Sequence, residues 1–307
     1  MSKIKGQHFR LLSGSPLVAF PEATNASITL TGNSEDTTTK DTEGLYSQNT
    51  VVSTAWNAQV DTYQGAASQL RAIITLFNAA EPIPVGWDQT GGSMNRERKN
   101  ANFARGGNAL LNDFNMVFND RETVQTSLQF QGTGPLSPLE PSSELPDIDA
   151  LVQNLKRGQY IRLLVSTAAN PSLVVAAAKQ MSLHGSAQTE EDSTKDATGD
   201  ALEYSVVGQS YDITGSGLVL TPNDALLTGA VGLNDFEEWV KDQELYWRIC
   251  VMEGEHNRTI VEEIAHGIAK CTNLQAQAQT KQNATYNYTL TGFGKLVPGT
   301  EPSDSDI

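Results

Sequence analysis

The residues with the most obvious chemical reach are four histidines and a group of glutamates. His256 and His266 stand among Glu253, Glu255, Glu262 and Glu263, donor types that bind metal ions, while His8 and His184 stand apart. The spacing of His256 and His266 fits no helical i, i+4 pair, and nothing equivalent occurs in the first half of the chain. The group therefore reads as a solvated, charged loop. No glycine-rich loop ends in Gly-Lys-Ser/Thr, so no phosphate cradle is visible, and no Gly-x-Ser-x-Gly elbow is present. Gly132-x-Gly134 and Gly292-x-Gly294 follow apolar alternation but open no helix, because Pro135 and Pro138 intervene in the first; they read as strand-end turns. No catalytic, cofactor-binding or metal residue is expected, and the chain reads as a non-enzyme.

Composition narrows the class. The chain has 307 residues and a formal net charge of −15. A protein that grips nucleic acid by its phosphates carries the opposite sign. No apolar run approaches the ~20 residues needed to cross a bilayer, and the start, Met1-Ser2-Lys3-Ile4-Lys5, lacks the apolar centre of a signal peptide. Cys250 and Cys271 are the only cysteines, which argues for a reducing compartment rather than a disulfide framework. The Asn-x-Ser/Thr triplets at Asn25, Asn257 and Asn283 then read as chance matches.

The elements that must position any site repeat along the chain. Thr39-Lys40-Asp41 returns as Thr194-Lys195-Asp196, 155 residues on, and Gly44 falls on Gly199. The surrounding stretches are polar in both places, Glu35 and Asp36 in one and Glu191 and Asp192 in the other. Gly6-Gln7-His8-Phe9-Arg10-Leu11-Leu12 returns as Gly158-Gln159-Tyr160-Ile161-Arg162-Leu163-Leu164 at an offset of 152, Trp56 falls on Tyr211 at 155, and Gly132 falls on Gly292 at 160. The order of the landmarks holds while the offset grows. This predicts a tandem duplication of a module of about 140 residues: residues 1–138, a proline-containing linker over 139–157, residues 158–298, and a disordered tail over 299–307.

Each module predicts a mainly β fold, a sandwich or half-barrel with one inserted helix. Ala26, Ile28 and Leu30 alternate with Ser27, Thr29 and Thr31, and Val52, Thr54, Trp56, Ala58 and Val60 follow the same period of two. Leu70, Ile73, Ile74 and Phe77 then switch to helical spacing. The second copy matches with Leu233, Phe236 and Val240, and Asn234 or Asp235 is placed to cap the start. Strands follow over Ile83–Trp87, broken into by Pro82 and Pro84, and over Leu245–Met252. Each copy closes on alternation, at Thr126, Leu128 and Phe130 or at Tyr286, Tyr288 and Leu290. In the linker, Ile148, Leu151, Val152 and Leu155 predict a short helix. The copies differ most in one insert, which carries Arg96, Arg98, Lys99 and Arg105 in the first and Glu253, Glu255, Glu262 and Glu263 in the second. Opposite charge at equivalent positions suits pairing between neighbouring modules.

In these residues each copy resembles the major tail tube protein of long-tailed phages. The shared features are an opening strand, a polar stretch ending in Thr-Lys-Asp with a following glycine, and a strand carrying Trp56 or Tyr211. A late helix, a Gly-x-Ala at Gly107 or Gly267, and a closing strand running into Gly-x-Gly-x-Leu complete the pattern. The resemblance covers about residues 6–138 and 158–298. It implies subunits whose sheets join in a ring, with rings stacked into a hollow tube that conducts DNA through its lumen without specific binding. A duplicated subunit would close a pseudo-sixfold ring with three copies. The implied partners are further copies of the chain, other tail proteins and passing DNA, with no membrane and no cofactor; the implied location is the virion tail, assembled in the host cytoplasm. By this resemblance the candidate ring or stacking contacts are Glu35, Asp36, Thr39, Lys40 and Asp41, their counterparts Glu191, Asp192, Thr194, Lys195 and Asp196, and the two charged inserts. Two other structural readings stand beside it: a capsid decoration or adhesive surface protein of tandem β domains, and a secretion-type tube with no need of an acidic surface facing DNA. A carbohydrate-active enzyme is more distant.

Overall fold

A computed structural model of the chain describes residues 9–14, 18–20, 22–37, 49–63, 66–91, 97–98, 103–139, 157–193, 201–220, 230–253 and 259–300. The fold is mainly β, and among the described residues its strands join in one 16-stranded sheet. The first half supplies β1 (Phe9–Ser13), β2 (Val18–Ala19), β3 (Ala23–Asp36), β4 (Asn49–Tyr63), helix α1 (Ala67–Ala79), β5 (Ile83–Gly91), β6 (Glu97–Arg98), β7 (Arg105–Asn119) and β8 (Gln125–Pro138). After a 3-10 turn at Gly158–Tyr160 come β9 (Ile161–Ser166), β10 (Val174–Val175), β11 (Ala178–Glu191) and β12 (Tyr204–Leu218). The second half then continues with β13 (Ala230–Val231), helix α2 (Leu233–Trp239), β14 (Glu244–Glu253), β15 (Thr259–Gln277) and β16 (Thr285–Pro298).

The strands follow the period-two pattern. In β4, Trp56, Ala58 and Val60 are buried while Asn57 is exposed and Gln59 and Asp61 are half-buried. On α1, Leu70, Ile73, Ile74 and Phe77 form the buried stripe. That helix stops at Ala80, whose backbone is left-handed (φ 52°) and whose N–H donates to the Phe77 carbonyl. On α2, Phe236 and Trp239 are buried, whereas Val240, just past its end, is 43% exposed. Its cap is Gly232 rather than Asn234: the Gly232 N–H donates to the Asp235 carboxylate at 2.8 Å, so Asp235 acts from inside the first turn. Phe236 stacks on Tyr288 with ring centroids 4.5 Å apart, and its edge meets Trp239.

The same pairings run through both halves. Strands β2, β1, β5, β7, β8, β4 and β3 are hydrogen-bonded in that order, and so are β10, β9, β14, β15, β16, β12 and β11. The registers agree at the offsets read from the sequence. Ile28 pairs with Ala58 as Leu183 pairs with Ile213, and Ala58 pairs with Phe130 as Ile213 pairs with Leu290. Even the irregularities recur, with a register shift between Leu111 and Asp113 and another between Cys271 and Asn273.

Two expectations from the sequence are corrected. Gly132-x-Gly134 and Gly292-x-Gly294 do not end their strands; β8 and β16 continue to Pro138 and Pro298. Positive φ at Gly134 (77°) and Gly294 (84°) lets each strand bulge while keeping its partner. The carbonyl of Gly134 accepts the Trp56 indole N–H at 3.1 Å; Tyr211, the counterpart of Trp56, instead donates its hydroxyl to the Ile268 carbonyl on β15 at 2.7 Å. Nor do Pro82 and Pro84 break the following strand. β5 runs through Pro84, which pairs with Asn108, and its carbonyl accepts the Gly14 N–H at 3.0 Å. A proline at a strand start loses little, since the missing N–H is not needed by the ladder there. The predicted linker helix around Leu151 lies outside the described residues.

Candidate assembly interface

The two halves meet strand to strand. One side of β7 is covered by β8 along its length; the other is shared by β5, over Arg105–Ala109, and by β11, over Asp113–Asn119. β11 thus adds to β7 where β5 leaves off, with Leu183 opposite Met116 and Gly185 opposite Phe114. Met181, Leu183, Phe114, Met116 and Phe118 are all buried there. Each such side chain removed from water contributes roughly 1.5–3 kcal/mol. The ring of Phe114 lies against Gly185, where an added Cβ would come 2.3 Å from Cε1, so the small residue on one strand makes room for the large one on the other.

A charged trio lies along the same seam. The ring nitrogens of His184 on β11 lie 2.9 Å from the carboxylates of Asp212 on β12 and Asp113 on β7. Burial alone would lower the His184 pKa, but hydrogen bonds and charge from Asp212 and Asp113 outweigh it and the net shift is upward. A protonated imidazolium donates to both carboxylates at once.

Helix α1 closes over the seam from the first half onto the second. Arg71 donates to the Glu263 carbonyl at 3.0 Å and pairs with Glu262 at 3.6 Å, and Asn78 donates to the Leu296 carbonyl at 2.7 Å. The Gln209 side chain donates to the Phe77 carbonyl. At the other end, Leu202 donates to the Thr54 carbonyl at 3.0 Å, Gly134 donates to the Leu202 carbonyl at 2.8 Å, and the Tyr204 N–H donates to the Thr133 hydroxyl at 3.0 Å. The residues just after the second polar stretch are therefore laid across β4 and β8.

The sequence-predicted contact residues fall in several places. Glu35 and Asp36 end β3, and Glu191 ends β11 with Asp192 just beyond; all four are exposed. Thr39, Lys40, Asp41, Thr194, Lys195, Asp196, Arg96, Lys99 and Glu255 lie outside the described residues. Arg98 stands in β6 opposite Thr90, and Arg105 opens β7 with its guanidinium donating to the Ala104 carbonyl at 2.8 Å. Glu253 ends β14 and is exposed. Glu262 and Glu263 do not sit on a loop, as the sequence suggested, but on β15, opposite Val251 and Cys250. Glu263 is held within its own chain, by Arg248 (Nε to Oε2, 2.6 Å) and by His266, its side chain only 11% exposed. His184, Asp113 and Asp212 do not read as a group in the sequence, because β7, which carries Asp113, is far along the chain from the β11–β12 pair that carries the other two. Among the described residues no three His, Cys, Asp or Glu side chains are grouped to hold a metal ion.

No protein-family model matches the chain, and no curated protein matches it. Among solved structures it is similar to a chain from the tail of an empty GTA particle refined helically with C6 symmetry, at 16% identity and a TM-score of 0.34, over 45% of this chain and 96% of that one. It is similar in the same degree to a chain from the virion of a native gene transfer agent particle, at 14% identity and a TM-score of 0.34, over 45% of this chain and 95% of the other.

Proposed function

We propose that the chain is a structural protein of a phage-type tail, built from two copies of one module and assembling with itself into rings that stack as the tail tube. The observation that carries this reading is the way one half adds to the other. β11 lies on the seam as an added strand, while its counterpart β3 pairs, among the described residues, only with β4. β7 receives that added strand, while over Cys271–Gln277 its counterpart β15 has, among the described residues, no strand opposite β16. A sheet with one filled joint and two complementary open edges is made to repeat the joint between chains, and a long open edge left bare is an aggregation hazard. A head-to-tail step of this kind closes a ring when its rotation allows. Six modules per ring then require three chains.

The acidity suits such a tube: a lumen of net negative charge repels phosphate, so DNA slides without adhering. The polar stretches beginning at Glu35 and Glu190, with the basic insert around Arg98, are assigned to contacts within or between rings. The protein would belong to the virion, acting through copies of itself and other tail proteins rather than through catalysis.

Negative-stain microscopy of the purified chain, with native mass measurement of a single ring, tests the reading. Rings or tubes of constant bore with three chains per ring are expected. A protein that stays monomeric at every concentration and ionic strength overturns it, and six chains per ring overturns the role given to the repeat.

A further inference from the structure

The filled joint specifies the residues of the unfilled one. We infer that β3 of one chain adds to the Asn273–Gln277 stretch of β15 in a second copy, in the register that sets Leu30 opposite Leu274, Ile28 opposite Ala276 and Thr31 opposite Asn273. This inference rests on the reading of the halves as equivalent modules. The residues of β3 and β15 that correspond to the joint between β11 and β7 follow from offsets the strand registers already obey: Leu183 is to Ile213 as Ile28 is to Ala58, and Asp113 is to Gln129 as Asn273 is to Thr289. Within the chain Gly185 faces Phe114, Leu183 faces Met116 and Ser186 faces Asp113. Transferring each partner gives the three pairs above.

Three observations favour a second copy as the occupant. The first is exposure. Leu30 lies beside Trp56 on the core side of the sheet, yet it is 64% exposed, whereas Gly185, in the corresponding place, lies under the Phe114 ring. A large apolar side chain left open at an edge marks a contact. The second is fit. Glycine under phenylalanine on the filled joint becomes leucine against leucine on the open one, so a larger residue on one strand is matched by a smaller one on the other. Such compensated exchanges are the ones a packed contact tolerates.

The third is charge. Where the filled joint has His184, Asp212 and Asp113, the corresponding positions hold Thr29, Asn57 and Asn273, all neutral and all able to hydrogen-bond. A β3 strand placed on β7 would leave Asp113 without its imidazole, and a β11 strand placed on β15 would leave His184 with one carboxylate instead of two. Each edge therefore selects its own partner, which keeps filled and intermolecular joints alternating around the ring.

Cysteine pairing in the full chain tests the register. Directly opposed residues in an antiparallel pair have Cα atoms about 4.5–5.5 Å apart, inside the disulfide range, whereas a shift of four residues adds about 13 Å. The native thiols give little background: Cys250 and Cys271 are buried, and burial pushes them up to about 12 and about 11. Mild oxidation of assembled Leu30→Cys/Leu274→Cys protein should give covalent dimers and closed trimers on a non-reducing gel, at least tenfold more than Leu30→Cys/Ala278→Cys. Should the first pair spoil assembly, Ser27→Cys/Gln277→Cys probes the same register from the opposite face of the strands. Preferential linkage of the shifted pair, or no linkage by either matched pair in rings of three chains, overturns the register and leaves the tube reading intact. Absence of rings from the unaltered protein overturns both.

Discussion

The contact between Gly185 and Phe114 lends itself to a quantitative test. In Gly185→Ala the new methyl would sit 2.3 Å from Cε1 and 2.7 Å from Cζ of Phe114. The ring has little room to withdraw, because its other side meets Phe77 edge to face, with centroids 5.0 Å apart and planes at 80°. Overpacking of this kind costs about 1–3 kcal/mol. Phe114→Leu alone forfeits the aromatic contact, about 0.5–1.5 kcal/mol, and opens a small cavity, for about 2 kcal/mol together. In the double variant the methyl enters the space the ring has left, so the two losses should not add. The total should be about 2 kcal/mol rather than about 4, a coupling of about 2 kcal/mol. Urea denaturation of the four proteins, followed by tryptophan fluorescence with the slopes held comparable, measures this directly. Additivity within about 0.5 kcal/mol would mean that the two strands do not meet in this register, and the joint used above as a template would be wrong.

Two further outcomes follow from the same surfaces. The folded-state pKa of His184 is raised, so its contribution is fully present below its unfolded value near 6.5 and is lost as pH rises through the folded value. Stability should therefore fall on the alkaline side in wild type, and His184→Gln should flatten that dependence; an unchanged pH profile between about pH 5 and pH 9 would remove His184 from the seam. For the charged inserts, reversal of Arg96, Arg98 and Lys99 to Glu should impair assembly, with rescue by Glu253→Lys/Glu255→Lys scored by microscopy. Glu263 is left out of the rescue because Arg248 and His266 hold it within the chain, and its reversal should lower stability on its own. Assembly indifferent to the first change would assign these inserts to ordinary solvated surface.

The sequence by itself determined most of the elements and their order, though not where β8, β15 and β16 begin or end. A period of two at Trp56, Ala58 and Val60 and a period near 3.6 at Leu70, Ile73, Ile74 and Phe77 are consequences of which faces must leave water, and they act within a few residues. The repeated landmarks fall at equivalent places in the two halves, but that the Trp56 ring lies against Gly132 and the Tyr211 ring against Gly292 shows only in the structure. Gly-x-Gly at Gly134 and Gly294 suits a strand end and a bulge alike, because a positive φ is compatible with both, and only the partner strand shows which occurs. Tertiary structure alone decided the joint. β7 and β11 lie far apart in the chain, and nothing in an alternating strand says which other strand its edge will meet. His184 reads in sequence as a lone histidine between Leu183 and Gly185. It becomes the bridge of a carboxylate pair only when the sheet brings Asp113 and Asp212 to either side of it. Glu263 likewise reads as a surface charge until the register of β14 and β15 sets it beside Arg248. The physical reason is the same in each case. Burial patterns are local and written residue by residue, whereas edge pairing depends on which backbone groups remain without partners once every local element has formed.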